Sequence, residues 1–506
     1  MNRPAKRATI ALIFASTLVL CSVLSLSAGA RPGGGNSFSG SSTHSSGSHS
    51  GGGSGGDGGD ASGLIIQLII LCFEHPAIGV PLLIIVVVFL IAKKAVMSSR
   101  QGWSTTTAEA VQAVTQVERA PKLSRMELDR IRELDPGFSL VLFEDFAYLL
   151  YAAVQRARGT GTATLAAYLA PPLVQAMTDP ALSDVQGIVI GALRYVRFSG
   201  VHSPMLELEL ELESNFVEVL KGGGTRRFYC VDRIVLARSP SARSRPFARA
   251  RTLDCPNCGA PLESVRGTQC AYCQQNVGYG RYDWMLTSWV NLTREPRGPL
   301  LTGDVAESGT ELPTIVDPGA HARFADLQRK DPAVDWDGVT GRLALIFAEL
   351  QVAWSGRDAL RIRPYVSDNL FQSMYYWIDL YTQEKCRNIN ENASIVRVDL
   401  ANVMSDTYYD AVTLRVFATG LDYTLSDSGK LLSGNKSRPR TYSEYWTLIR
   451  GSSRKGPARR EPNCPHCGAP LKIGMAGTCE YCRAKVTSGE FDWVLSRIEQ
   501  DEAYGG

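Results

Sequence analysis

One cysteine cassette occurs twice in this chain, about two hundred residues apart. In the first copy Cys255, Cys258, Cys270 and Cys273 form two Cys-x-x-Cys knuckles eleven residues apart, and Tyr282-Asp283-Trp284 follows. The second copy has Cys464, Cys467, Cys479 and Cys482, then Phe491-Asp492-Trp493. Two knuckles at this separation bring four thiolates to one tetrahedral ion and leave no open coordination position for catalysis. The spacing therefore predicts two closed zinc ribbons, each with one structural zinc. Disulfide pairing in an exported chain and rubredoxin-like iron are the competing readings. His466, between two ligand cysteines, reads as a solvated knuckle residue rather than a fifth ligand.

A chain of 506 residues can hold about three domains. Its net charge of +3 provides no global field to recruit nucleic acid, so no nucleic-acid partner is expected. Only six histidines occur, which leaves little material for histidine-based acid–base chemistry.

Arg3, Lys6 and Arg7 precede an apolar run from Ile10 to Leu26, and Ala28-Gly29-Ala30 closes it with small residues. This predicts a secretory signal over 1–30. Leu20 is bulkier than a lipoprotein site before Cys21 accepts. The Gly/Ser-rich tract 31–63 cannot bury enough apolar surface to fold and is expected to be disordered, with His44 and His49 as solvated linker residues. Residues 64–75 read as an interfacial apolar segment and 76–92 as a single transmembrane helix. Lys93, Lys94 and Arg100 follow the span, which places the Gly/Ser tract outside and everything beyond the juxtamembrane linker 93–125 in the cytoplasm. Thiolates persist in that reducing compartment.

Beyond Met97 the whole sequence repeats. Asp135-Pro136 recurs as Asp331-Pro332, and Tyr168 to Met177 recurs as Tyr365 to Met374. Ala147, Leu150, Tyr151 and Val154 match Leu343, Ile346, Phe347 and Leu350 on one helical face. Alternating patterns then take over at 187–201, 205–213 and 226–236, and again at 395–403, 411–425 and 442–449. Helices followed by an antiparallel sheet define an α+β domain, here twice: 126–240 with a ribbon at 241–292, a linker at 293–322, then 323–450 with a ribbon at 451–500. Glu207, Glu209, Glu211 and Glu213 alternate with leucines and read as a solvated outer face rather than paired catalytic carboxylates. Basic connectors precede the ribbons. Arg238, Arg243, Arg245, Arg249 and Arg251 in one, and Arg450, Arg454, Lys455, Arg459 and Arg460 in the other, read as extended and exposed, either solvated or contacting anionic lipid, with Arg243, Arg245, Arg249, Arg251, Arg454, Lys455, Arg459 and Arg460 as the candidate lipid contacts.

The signal, Gly/Ser tract, span and α+β domain with Tyr442-Ser443-Glu444-Tyr445-Trp446-Thr447-Leu448-Ile449-Arg450 resemble bacterial relatives of the inner-membrane translocase subunit forty-four, the Tim-forty-four-like family. The resemblance is clearest from Asp331 to Arg450. In the first repeat Phe228 to Leu236 replaces the Glu-x-Trp pattern, so a shared partner site does not carry over. The resemblance implies cone-shaped domains of the nuclear-transport-factor-two type, with helices over a curved sheet around an apolar pocket. It also implies attachment to the inner membrane and contact with anionic lipid or protein partners. The long charged helical region that recruits a motor chaperone in the mitochondrial relative has no counterpart, so import-motor function is not implied.

No P-loop, Gly-x-Ser-x-Gly elbow, His-Glu-x-x-His or dinucleotide fingerprint occurs in a suitable context. The expected function is a non-catalytic, membrane-anchored scaffold for protein transport or membrane-protein assembly, with no catalytic residues assigned. The alternative is an enzyme or small-ligand binder using the cone's cavity, which predicts a buried Asp, Glu or His converging with a tyrosine in one pocket.

Overall fold

In the first unit, helices α1 (Arg125–Leu134), α2 (Leu140–Ala157) and the short α3 (Pro171–Ala176) precede the sheet in the computed structural model. The Ser139 hydroxyl caps α2 by accepting from the Leu142 N–H, and Pro171 starts α3 at a position where its missing N–H costs nothing. Ala147, Leu150, Tyr151 and Val154 are buried along one stripe of α2. Against them lies an antiparallel meander of β1 (Leu182–Ser199), β2 (Leu206–Leu220), β3 (Thr225–Arg238) and β4 (Met285–Glu295), in that order across the sheet. Leu206, Leu208, Leu210 and Leu212 of β2 are fully buried in the core that these helices and strands share.

The second unit runs α4 (Ala320–Lys330), α5 (Trp336–Gly356), α6 (Ala359–Ile362) and α7 (Asp368–Gln383). Asp335 caps α5 through the Gly338 N–H, and Arg357 ends it in the left-handed conformation with φ of 56°. Its sheet contains β5 (Cys386–Ser405), β6 (Tyr409–Ser426), the short β7 (Leu431–Gly434), β8 (Arg440–Gly451) and β9 (Val494–Gln500). β6 pairs β5 along one edge and β7 and β8 along the other, and β9 pairs β8.

In each unit the strand after the cysteines returns to pair with the strand before them. The ribbons are therefore insertions between the third and fourth main strands, whereas the sequence reading ended the α+β units at 240 and 450. The glutamate row also differs from expectation. Glu211 and Glu213 are buried: Glu211 takes an ion pair from Arg233 at 2.5 Å, and Glu213 accepts from the Tyr229 hydroxyl at 3.0 Å. Cross-strand arginines and tyrosines neutralise a face that alternation alone reads as solvated.

The two units share an interface. Val141 and Leu142 of α2 join Ala250 against Tyr409, Ala411, Ile449 and Val494. Around this apolar patch Asp145 accepts from Arg251 and Asn369, each at 2.6 Å, and Arg251 also reaches the Tyr409 hydroxyl at 2.7 Å. Glu144 pairs with Arg497 of β9.

The structure describes residues 104–105, 125–296, 300–301, 309–459, 463–501 and 504–505. The expected signal, Gly/Ser tract, interfacial segment and transmembrane helix, with most of the juxtamembrane linker and Arg460, lie outside them. Among the described residues no helix is long and apolar enough to cross a membrane.

Candidate metal centres and a polar cavity

Each knuckle is a tight turn closed by backbone hydrogen bonds. Gly259 N–H donates to Cys255 O and Gly468 N–H to Cys464 O, both at 2.9 Å. Gly259 and Gly468 hold φ of 82° and 75°, a conformation glycine adopts without steric cost, which explains the glycine after the second cysteine of each leading knuckle. The turns bring Cys255, Cys258, Cys270 and Cys273 together, and likewise Cys464, Cys467, Cys479 and Cys482, with all sulfurs of a set within 4.8 Å of one another. Cys255 and Cys273 stand 3.9 Å apart, Cys258 and Cys270 3.8 Å, and Cys464 and Cys482 3.8 Å. A tetrahedron with Zn–S bonds near 2.3 Å has edges of about 3.8 Å, whereas a disulfide needs about 2.05 Å. Both sets can hold a metal ion and their spacing is compatible with zinc. Burial pushes the Cys255 thiol up to about 12, while the Asn257 side chain and then the Gln275 backbone bring Cys273 down to about 6. Four such sulfurs ionise together only around a central cation. His466 is exposed, packs edge-on against Phe491 at 5.1 Å, and stands outside the four-sulfur set.

The aromatic-Asp-Trp tails and the repeated Asp-Pro pairs meet beneath the ribbons. Asp135 receives Arg238, the last residue of β3, at 2.8 Å, and the Arg238 guanidinium lies 4.6 Å over the Trp284 ring. Asp331 receives Arg450 of β8 at 3.1 Å, and Arg450 lies 4.8 Å over Trp493. All six side chains are buried. Sequence reading found both aspartates and both tryptophans but counted Arg238 and Arg450 with the extended, exposed connectors, whereas both are buried as the last arginines of their strands. The common signal is the arginine near each third strand's end.

The connectors depart from an extended, exposed basic run. Arg245 is buried and pairs with Asp283 at 2.7 Å and Asp254 at 2.9 Å. Arg249 binds Asp254 and the Cys255 carbonyl, and Arg251 is committed to the interface between units. Arg454 donates to the Phe491 carbonyl, which ties the second connector to its ribbon. Arg243, Lys455 and Arg459 are exposed. Ribbon carbonyls and carboxylates thus take Arg245, Arg249 and Arg454.

Where the resemblance implies an apolar pocket, the first unit has a polar cavity of about 420 Å³ on the helix side of its sheet, none of whose residues sequence reasoning assigned to a site. At its floor Asp232 of β3 accepts from the Tyr151 hydroxyl at 2.6 Å and from the Asn291 amide at 2.8 Å. Gln155 donates to the Tyr151 oxygen at 3.0 Å, and Trp289 stacks on Tyr151 with centroids 4.8 Å apart. Arg158 and Arg294, which line the space, both donate to the fully buried Glu218, at 2.8 Å and 2.5 Å, and Arg226 reaches the same carboxylate at 3.0 Å. Burial pushes the Asp232 carboxyl above the usual range against the hydrogen bonds from Tyr151 and Asn291. The Tyr151 phenol is pushed up by burial and then by Asp232. Cys230 also lines the space, its thiol raised to about 12 by burial, and so is not a nucleophile at neutral pH.

These features define a chain of two α+β units, each interrupted by a four-cysteine knuckle pair. Residues 320–459, from the start of α4 through the second connector, match the Tim44-like domain. The match stops before Cys464 and leaves the first unit outside it. No curated protein matches the chain.

Proposed function

We propose that this protein is a membrane-associated scaffold for protein transport or membrane-protein assembly, non-catalytic in its Tim44-like unit. The observation that carries the proposal is the Tim44-like match over 320–459. Each unit is a cone of the nuclear-transport-factor-two type, a reading supported by helices packed on one face of an antiparallel sheet, four-stranded in the first unit and five-stranded in the second. The two knuckle sets each take one structural zinc, and Cys255, Cys258, Cys270, Cys273, Cys464, Cys467, Cys479 and Cys482 hold it. In this reading the segment 76–92 spans the inner membrane once and the described units face the cytoplasm, with protein or anionic lipid as partner. Among the described residues Arg243, Lys455 and Arg459 are the connector cations exposed enough to face lipid headgroups.

The test uses the full chain in native membranes with a photo-crosslinker at Val396 or Leu431, which expose apolar side chains on the second unit. Specific crosslinks to a membrane protein or an anionic lipid support the scaffold reading, and crosslinks to neither class would overturn it. Elemental analysis is expected to give about two zinc ions per chain, lost on chelation.

A second reading, a pocket that binds or transforms a small molecule, is favoured by one observation. The first unit brings a buried acid and a tyrosine together in one cavity, at Asp232 and Tyr151.

A further inference from the structure

The two units share a plan, yet only one helix layer is complete. In the second unit α7 runs for 16 residues, and its Trp377 and Tyr381 are buried in the core, with Tyr381 edge-on to Trp354 at 5.8 Å. In the first unit the corresponding helix α3 ends at Ala176 after six residues. Met177 corresponds to Met374, so Pro180 stands where the second unit has Trp377, and Asp184 where it has Tyr381. On the facing helix Tyr151 and Arg158 occupy the positions of Phe347 and Trp354. Four large apolar side chains are thus replaced by a turn and by polar groups. The cavity is what they leave.

The floor chemistry is duplicated. Asp232 pairs across strands with Asn291, and Glu444 likewise with Gln500, whose amide donates to it at 3.0 Å. In the second unit the Trp446 indole also donates to Glu444, at 3.0 Å, and the pair is sealed under aromatic side chains. In the first unit the pair opens onto the cavity.

We propose that the cavity of the first unit is a binding site for a small planar aromatic anion: a ring carrying a carboxylate, sulfonate or phosphate. Its volume of about 420 Å³ lies within the usual range for small-molecule pockets. The walls supply flat apolar surface from Trp289, Phe216 and Met177. Arg158 and Arg294 are the cations among the lining residues, beside the acids Asp179 and Asp232; both also pair with the buried Glu218, and Arg294 is partly open to solvent. At depth Asp232 is bonded by the neutral donors Tyr151 and Asn291 and repels a second negative charge. The anionic group therefore sits outward on Arg294, and the ring inward on Trp289. This site lies outside the residues matched to the Tim44-like domain and stands apart from the scaffold reading.

The test is calorimetric titration of the full-length protein with 1-naphthyl phosphate, inorganic phosphate and 1-naphthol. Naphthyl phosphate is expected to bind once per chain, with each half-probe at least about tenfold weaker, as loss of a charge-assisted contact or of ring burial dictates. Pro180→Trp, which gives the first unit the side chain of the second, is expected to abolish binding. Met177→Trp provides an independent way to fill the space should the first variant fail to fold. Arg294→Ala is expected to reduce naphthyl phosphate to the affinity of naphthol. Binding that survives both Pro180→Trp and Met177→Trp would overturn the site. Equal affinity for naphthyl phosphate and naphthol, or no binding by any probe, would overturn the ligand class.

Discussion

The Asp331–Arg450 pair is held where neither charge reaches water, and Trp493 lies across the guanidinium. A buried ion pair of this kind is costly to break on one side, because the remaining charge has no solvent. Asp331→Ala is expected to destabilise the second unit by about 3 kcal/mol, and the double variant Asp331→Ala/Arg450→Met should recover most of that loss in denaturant titrations. An additive double variant would count against the pairing. Burial raises the Asp331 carboxyl, but the Gly456 and Ala333 N–H groups and Arg450 outweigh it and hold it below the ordinary value. Its contribution is therefore complete above about pH 4 and fades as the pH falls through the lower, folded value. Asp232 has the opposite sign. Burial raises its carboxyl, so its charge opposes folding at neutral pH, and that penalty is relieved on acidification. Asp232→Asn keeps a partner for Tyr151, whose hydroxyl can turn to donate to Ser214. The variant is expected to unfold at higher denaturant at pH 7, by on the order of 1 kcal/mol, with the gain gone below about pH 4. An unchanged midpoint at pH 7 would show that Asp232 carries no burial penalty. The repeated aspartates were legible in the sequence because each precedes a proline at a constant offset. Which arginines turn inward was not, since Arg238 and Arg243 look alike until β3 ends beneath Trp284.

One long helix and three strands of each unit were legible from period alone, as in the Leu/Glu alternation of β2 and the i, i+3, i+4, i+7 stripe of α2. The fourth strand was not. Met285-Leu286 and Trp289-Val290 put apolar residues side by side, and the β3–β4 pairing shifts register between Val231 and Asp232 and again between Val235 and Leu236. Each shift resets which face a side chain takes, so alternation is lost and the segment reads as the tail of a ribbon. Because the ribbon lies between paired strands, a metal held by its four cysteines would constrain the sheet as well as the ribbon. Disrupting the second site with Cys479→Ser is expected to lower amide-exchange protection across Val494–Gln500, beyond the knuckle turns. Loss of protection confined to residues 463–488 would mean that the ribbon melts without its strand.

At the scale of the molecule, the units are joined through contacts that no single-repeat pattern encodes. Asp145 and Glu144 lie one after the other on α2, and each takes a cation brought by a different insertion: Arg251 from the first connector and Arg497 from the strand behind the second ribbon. Val141 and Leu142 continue the same helix face onto Tyr409 and Ile449. Sequence periodicity shows that α2 has polar residues there, but their partners lie 106 and 353 positions away. Burial raises the Asp145 carboxyl even with Arg251 beside it, and because both side chains keep partial exposure, losing the cation leaves a charge that is largely but not wholly desolvated. An apolar patch ringed by such pairs couples the stabilities of its two sides, so the described units are expected to unfold in one calorimetric transition. Arg251→Ala combined with Arg497→Ala removes both cations while leaving each unit's own core and cysteine set untouched. The expected result is two resolved transitions, with the second unit, whose aromatic core is the fuller, melting at the higher temperature. A single transition shifted as a whole would instead mean that the apolar contacts of Val141, Leu142, Tyr409 and Ile449 suffice to join the units, and that the ion pairs fix only their orientation.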